Sequence, residues 1–391
     1  MAWCEDVQLT ERFRTAGALL KRTCKHWQLG SSYAGWAAAG RREAARMMPL
    51  IVRRLRLHMR AMTDHQRCGG WDAFAADGSQ AACPRTLENQ QAMGDVGKPD
   101  GIPQMSLTTI LHLGTRLPWD FRVGPGTDSE RAHLRDMLGD LPVGSLLVAD
   151  AGFVGYDLCG VVIREKRHFL LRVGGNVHLL DGLGYERDAD GQTVYLWPIH
   201  QQQQNEPPIR LRLIVVRDGS KQPVYLVTSV LDPAALSDDA AGEIYRTRWA
   251  IEVQYRTAKQ TMHHHTMRSR TPETCYQEMT WAFLGVWLLQ LMAMRKVIAA
   301  GGAPQDTSAA RARDAVRRVM RNQPPGDSSR RTFAHELSRC RLDAYVRHRP
   351  KASRNYPRKK RHNAPSPPKI KPPDESQLQK AKQLTPIQMQ L

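Results

Sequence analysis

Four residues in one short run have the chemistry to handle a phosphate and a metal ion together: Tyr245, Arg248, Glu252 and Lys259. They lie in residues 243–262, EIYRTRWAIEVQYRTAKQTM, which contain neither Gly nor Pro and are mostly good helix formers. At about 100° per residue the four fall within an arc of roughly 60°. Ile244, Ile251, Tyr255, Ala258 and Met262 form an adjacent apolar stripe. One face can be buried while its neighbour presents a phenol, a guanidinium, a carboxylate and an ammonium. Glu252 could ligate a metal, and Arg248 and Lys259 could hold phosphates. A surface helix whose charges pair at i,i+4, such as Arg248 with Glu252, accounts for the same letters without any chemistry.

The run resembles the Tyr-x2-Arg-x3-Glu-x6-Lys signature of bacterial insertion-sequence transposases of the DDE class, in the family named for insertion sequence four. All four letters match at the right intervals. Two more family-like segments precede it in the right order, ADGS around Asp77 and LLVADAGF around Asp150. The resemblance implies a cut-and-paste DNA transposase with a ribonuclease-H-like fold. It implies metal-dependent cleavage at element ends and strand transfer by the freed 3′-hydroxyl, with a hairpin route open to it. The implied cofactor is Mg2+, two ions, with Mn2+ as a substitute. The implied partners are double-stranded DNA, as transposon ends and target, and a second protomer, giving a homodimer in the synaptic complex. No membrane is implied, and the location is the bacterial cytoplasm in association with the nucleoid. In the family the signature residues grip DNA near the cleaved end, so Tyr245, Arg248 and Lys259 inherit that role. Members that form a hairpin flip a base out of the stack, and an aromatic of a β-rich insertion can stack on it. Trp197, in LWP, is the candidate for that stacking role, with a core aromatic as the alternative reading.

Breaking a DNA phosphodiester needs an activated water, a stabilised leaving oxygen and charge neutralisation, which two Mg2+ ions about 3.5–4 Å apart supply. Mg2+ takes oxygen ligands and retains waters, so two or three converging carboxylates suffice. Asp77, Asp150 and Glu252 are the candidates, both for catalysis and for the metal. Asp150 lies 73 residues beyond Asp77 and Glu252 a further 102, so only folding can bring them together. Asp72 competes less well for the first position, because Asp77 ends its run and is followed by Gly78. Asp157 falls in a predicted helix and reads as peripheral. Adjacent His263, His264 and His265 point in different directions on a helix and make a poor metal site, so they read as solvated or phosphate-facing. Two rivals stand beside the transposase reading: a ribonuclease-H-like DNA nuclease that does not join strands, and an inactive DNA-binding remnant.

The elements that must position these residues are legible as α/β. Residues 71–76 are a predicted strand ending at Asp77-Gly78-Ser79, which would present a carboxylate at a sheet edge. Residues 92–103 read as a loop, and 105–113 and 115–123 as strands joined by a tight turn at Gly114. Ser129 opens a helix, and the apolar run 145–149 delivers Asp150. A helix over 156–166 and a strand over 168–173 complete a ribonuclease-H-like succession, a mixed sheet with helices on its faces. Residues 176–180, 193–199, 209–216 and 223–230 alternate or run β-branched, with turns at Asp190-Gly191 and Asp218-Gly219. They predict an inserted antiparallel β-domain, and the family carries a β-rich insertion at the same place. Residues 273–298, opened by Pro272, are apolar nearly all round, which predicts burial against the sheet.

Five segments follow: a helical, basic candidate DNA-binding region over 1–65; the first part of the catalytic domain over 66–174; the β-rich insertion over 175–232; the second part of the catalytic domain, with the Glu252 helix, over 233–300; and a basic, Pro-rich region over 301–391. Residues 347–371 carry ten Lys and Arg and no acidic residue, and are predicted to be disordered until they meet DNA. Arg358 to Arg361 is their densest cluster. Across the 391 residues, 57 Lys and Arg face 38 Asp and Glu, a net charge of +19 that points to a polyanionic partner. Mean hydropathy is negative. No apolar run reaches eighteen residues, and the first residues do not read as a signal peptide. Seven cysteines without C-x2-C spacing argue against a zinc site or a disulfide framework.

Overall fold

A computed structural model describes residues 1–23, 26, 30, 32–63, 66–94, 101–185, 192–217, 222–321, 332–343 and 366–389. The Asp190-Gly191 and Asp218-Gly219 turns and the Arg358 to Arg361 cluster lie outside the described residues. The chain forms two compact units, Met1–Leu141 with Thr247–Arg341, and Pro142–Arg246 with Leu342–Leu391. It begins in the first unit with α1 (Leu9–Thr23), α2 (Tyr33–Thr63), β1 (Ala73–Ala82), α3 (Leu87–Met93), β2 (Gln104–His112), β3 (Leu117–Pro125) and α4 (Glu130–Met137). The second unit follows as β4 (Leu146–Ala149), α5 (Tyr156–Arg164), β5 (His168–Val173), β6 (His178–Leu180), β7 (Thr193–Leu196), α6 (Ile199–Gln203), β8 (Ile209–Val216), β9 (Val224–Thr228) and α7 (Asp238–Thr247). Back in the first unit come α8 (Ala250–Arg256), a π-helical turn at Thr257–Thr261, α9 (Pro272–Ala299), α10 (Ala309–Met320) and α11 (Phe333–Ser338). The second unit ends with β10 (Lys369–Lys371) and α12 (Glu375–Ala381).

The predicted succession of strands and helices from β1 to β5 is present, with α3 added between β1 and β2. In the first unit β1, β2 and β3 pair antiparallel in that order, with Asp77 opposite Thr109 and a register shift at Ile110/Leu111. The core of this unit gathers around α9. Thr271 caps that helix and Pro272 opens it, as a missing N–H allows. It is long and apolar enough to cross a membrane by length and composition. Here Phe283, Trp287, Leu291 and Met294 are buried, and Val286, Leu289 and Ala293 pack with Ala312, Val316 and Leu337 from α10 and α11. Burial of most of its circumference accounts for most of the hydrophobicity, although Leu288 remains exposed.

The arginines of α2 are divided in use. Arg41, Arg42, Arg46, Arg53 and Arg54 are exposed. Arg56 instead ties the helix to β3: it meets Asp120 at 2.6 Å and Asp140 at 2.9 Å, and donates to the Trp119 carbonyl at 2.7 Å. Arg56 and Arg60 both lie over the Trp119 ring, at 5.8 and 5.5 Å from its centroid. Burial raises the Asp120 carboxyl despite the nearby Arg56 and Arg122. So the basic face predicted for residues 1–65 is in part structural.

In the second unit the strands run β10-β6-β7-β8-β9-β5-β4 as a mixed sheet: β4 is parallel to β5, and β5 is antiparallel to β9. All four strands expected of an insertion are present. They extend the sheet from β5 through β9, rather than standing as a body apart, and the unit boundaries fall at Pro142 and Arg246. The expectation of a disordered tail fails for its last part. Residues 369–371 form β10 alongside β6, and Ala381 of α12 packs with Leu183, Tyr195 and Trp197. The Pro-rich composition hid a short strand and a helix with a complete capping box at Asp374 and Gln377.

The three adjacent histidines also separate. His263 and His265 are exposed, whereas His264 is buried and its Nε2 lies 3.1 Å from the Ala2 carbonyl. Burial pushes its imidazole down to about 4. The unfolded chain therefore takes up this proton first, between about pH 6.5 and 4, and stability falls as pH drops through that window. Going from pH 7 to pH 5 should cost about 2 kcal/mol through this group alone. Urea unfolding at the two pH values checks it, with His264→Asn expected to lose that part of the dependence; an unchanged pH dependence in the variant removes His264 as its source.

Candidate active site

Strand β1 carries the first carboxylate in its interior. The predicted end at Asp77 does not occur, because β2 continues opposite Gly78, Ser79 and Gln80 with Thr108, Leu107 and Ser106. Asp77 Oδ1 accepts the Gly78 N–H at 2.9 Å. The Glu130 carboxylate, from the start of α4, occupies the place a Cβ at residue 78 would take. Glycine here lets an acidic side chain from α4 pack against the strand one residue from Asp77, a placement that only folding supplies.

The predicted continuous helix over 243–262 is interrupted. α7 ends at Thr247, Arg248 and Trp249 form a turn, α8 starts at Ala250, and the last turn is π-helical. Such wide turns recur at functional sites. α8 is fixed on two sides. The Tyr255 hydroxyl donates to the Asp77 carbonyl at 2.6 Å, with the Leu107 carbonyl at 3.2 Å. Burial drives its ionisation well up, so the phenol stays a donor. The Gln254 and Gln290 amides exchange two hydrogen bonds, both 2.9 Å, joining α8 to α9.

This anchoring sets the charged face against β1. Arg248 Nη2 lies 3.0 Å from Glu252 Oε1, and its Nη1 lies 3.7 Å from Asp77 Oδ2. One guanidinium thus links the two carboxylates. Lys259, in the π turn, donates to Ser79 Oγ at 2.7 Å and to the Gln80 carbonyl at 2.5 Å. Burial lowers its ammonium from the ordinary lysine value. Asp77, Arg248, Glu252 and Lys259 are therefore brought together within the first unit. Ser79, Gln80 and Tyr255 support them; Ser79 and Tyr255 stood inside segments singled out by sequence, Tyr255 only as part of an apolar stripe, and Gln80 did not.

Asp150 and Tyr245 belong to the second unit. Asp150 follows β4 and caps a short 3-10 turn, its Oδ1 accepting the Gly152 N–H at 2.9 Å. Tyr245 lies on α7. Trp197 is 3% exposed and packs with Leu183 and Tyr195. Its indole N–H goes to the Glu206 carbonyl at 2.8 Å. The ring is a core aromatic and offers no face for a base to stack on. Of the competing acids, Asp72 pairs with His112 at 3.0 Å and Asp157 is an exposed residue of α5.

Among the described residues, no group of three or more His, Cys, Asp and Glu is gathered closely enough to hold a metal ion. The donor chemistry of the first unit nonetheless suits a hard divalent cation. Asp77 and Glu252 supply oxygens, and both already turn to a single positive charge, for which the Arg248 guanidinium stands in.

The family described as Transposase DDE domain matches residues 71–288. The transposase InsG for insertion sequence element IS4 of Escherichia coli (strain K12) is 28% identical over 249 residues, 60% of this chain and 55% of that protein. The probable transposase for insertion sequence element IS5377 of Geobacillus stearothermophilus is 23% identical over 230 residues, 52% of this chain and 59% of that one. The chain thus spans little more than half the length of these curated relatives. Among solved structures, a chain from the cryo-EM structure of a piggyBac transposase synaptic complex with hairpin DNA aligns with a TM-score of 0.41 at 13% identity, over 70% of this chain and 58% of that chain. The family match opens two residues ahead of β1 and closes inside α9, so it takes in Asp77, Asp150 and the whole stretch from Tyr245 to Lys259. On that match, and in keeping with the relative from insertion sequence IS4, the chain belongs to the DDE-domain transposase family.

Proposed function

We propose that the protein is a DNA transposase that cleaves the ends of an insertion sequence and joins the freed 3′-hydroxyl to target DNA. The observation that carries this reading is the pairing of Asp77 and Glu252 with one guanidinium, with Lys259 held alongside β1, in a chain of this family. Asp77, Asp150 and Glu252 are the carboxylates assigned to Mg2+ or Mn2+. Bound there, the metal supplies an activated nucleophile and stabilises the leaving oxygen. Lys259 and Arg248 carry the charge to steady phosphate oxygens near the scissile bond. The Tyr255 hydroxyl keeps α8 registered on β1, so Glu252 and Lys259 hold their places as charge shifts. Tyr245 is assigned to the DNA end. Exposed Arg41, Arg42, Arg46, Arg53 and Arg54 on α2 suit the phosphate backbone. Two ends must be paired for transposition, so the working form would be a homodimer on double-stranded DNA, in the bacterial nucleoid.

The test uses the inverted repeats flanking the coding region, on a labelled duplex with Mg2+ or Mn2+. Nicks leaving a 3′-hydroxyl at the repeat boundary, and joining of pre-cut ends to a second DNA, are the expected products. A hairpin intermediate would identify the route. Cleavage without joining of pre-cut ends would replace the transposase reading with that of a nuclease. Binding without cleavage would leave an inactive remnant.

A further inference from the structure

The distances around Arg248 bear on how the site is kept before it is used. Asp77 sits on a strand and Glu252 on a helix, both partly buried, with side chains 20% and 33% exposed. Two carboxylates facing one point repel each other, and the more so as solvent is withdrawn. The Arg248 side chain, 14% exposed, lies where it compensates both. Its two terminal nitrogens are divided between them, Nη2 toward Glu252 and Nη1 toward Asp77. Glu252 is held at hydrogen-bond distance and Asp77 only at 3.7 Å, a loose contact that a stronger cation can take over.

We propose that Arg248 is a resident counter-ion that holds the Asp77 and Glu252 carboxylates in place until a divalent cation displaces it. This rests on the metal-site reading above. A dication and a guanidinium cannot share the same two carboxylates without mutual repulsion. Arrival of the metal therefore turns Arg248 away, and its fork becomes available to a phosphate oxygen. Arg248 acts in this as a positioning residue: without metal it keeps the acids apart and ready, and with metal it is released toward the DNA. The arrangement makes phosphate binding by Arg248 depend on a filled metal site.

Direct Mn2+ binding to the metal-stripped full chain, followed by electron paramagnetic resonance of free Mn2+, tests this without reference to turnover. Arg248→Gln removes the competing charge and is expected to bind Mn2+ about tenfold more tightly than the unaltered chain. Its thermal unfolding temperature without metal is expected to fall, and to rise more on Mn2+ addition than that of the unaltered chain. Should the glutamine variant not fold, Arg248→Lys keeps a charge but loses the fork, and about threefold tightening is expected. Equal or weaker Mn2+ binding in the folded arginine variant overturns the inference. Asp77→Asn and Glu252→Gln separate this from the reading beneath it. Weaker Mn2+ binding in both supports the metal site whatever Arg248 does, and unchanged binding in both removes the metal site itself.

Discussion

Asp77→Asn, Asp150→Asn and Glu252→Gln should each slow strand cleavage by about 10³-fold or more, since removal of one preorganised electrostatic contact already costs that order. Binding of end DNA should change little, because affinity is carried mainly by cations spread over the surface. The substitutions keep shape and remove charge. For Asp77 this matters locally, since its carboxylate accepts the Gly78 N–H and its carbonyl accepts the Tyr255 hydroxyl. An amide preserves the second contact in full and can preserve the first, so the strand and α8 stay in place. Single-turnover cleavage with Mg2+, run beside gel-shift titrations, gives both numbers. A variant that cleaves at the unaltered rate takes its residue out of the site.

Deleting residues 366–391 is expected to destabilise the second unit by about 3 kcal/mol or more, the scale of losing several buried apolar groups and their hydrogen bonds. The segment supplies β10, which pairs with β6, and Ala381 and Leu384, which pack on Tyr195 and Trp197. It also supplies the Ala381 and Leu384 carbonyls that the Tyr185 hydroxyl reaches at 2.9 and 3.1 Å. Ile387 exchanges backbone hydrogen bonds with Pro208 and Arg210. Removing these takes two acceptors from the Tyr185 hydroxyl and exposes an aromatic cluster to water. Thermal unfolding followed by tryptophan fluorescence, with limited proteolysis of the unit, measures the loss. An unchanged transition would show that β10 and α12 add nothing to the stability of the unit.

Much of this protein could be read before folding. Short-range rules placed β5 and β8 to the residue, because alternating or β-branched runs bounded by turn residues have few other uses. The charges at 248, 252 and 259 were legible as one set on neighbouring turns, because charge and spacing are properties of the chain. The all-round apolar run around Trp287 announced its own burial. Other features depended on partners distant in sequence. Asp77 reads as the end of a strand until β2 is there to continue the ladder past it. Tyr255 is one more apolar-stripe residue until the Asp77 and Leu107 carbonyls meet its hydroxyl, 178 and 148 residues away in sequence. Trp197 looks like a stacking platform until Ala381 arrives from the far end of the chain to close its pocket. Periodicity can assign a face to a side chain, but which group lies opposite is set by long-range packing. That is why the sequence named Arg248 as a cation, and only the fold decided that it stands between two carboxylates.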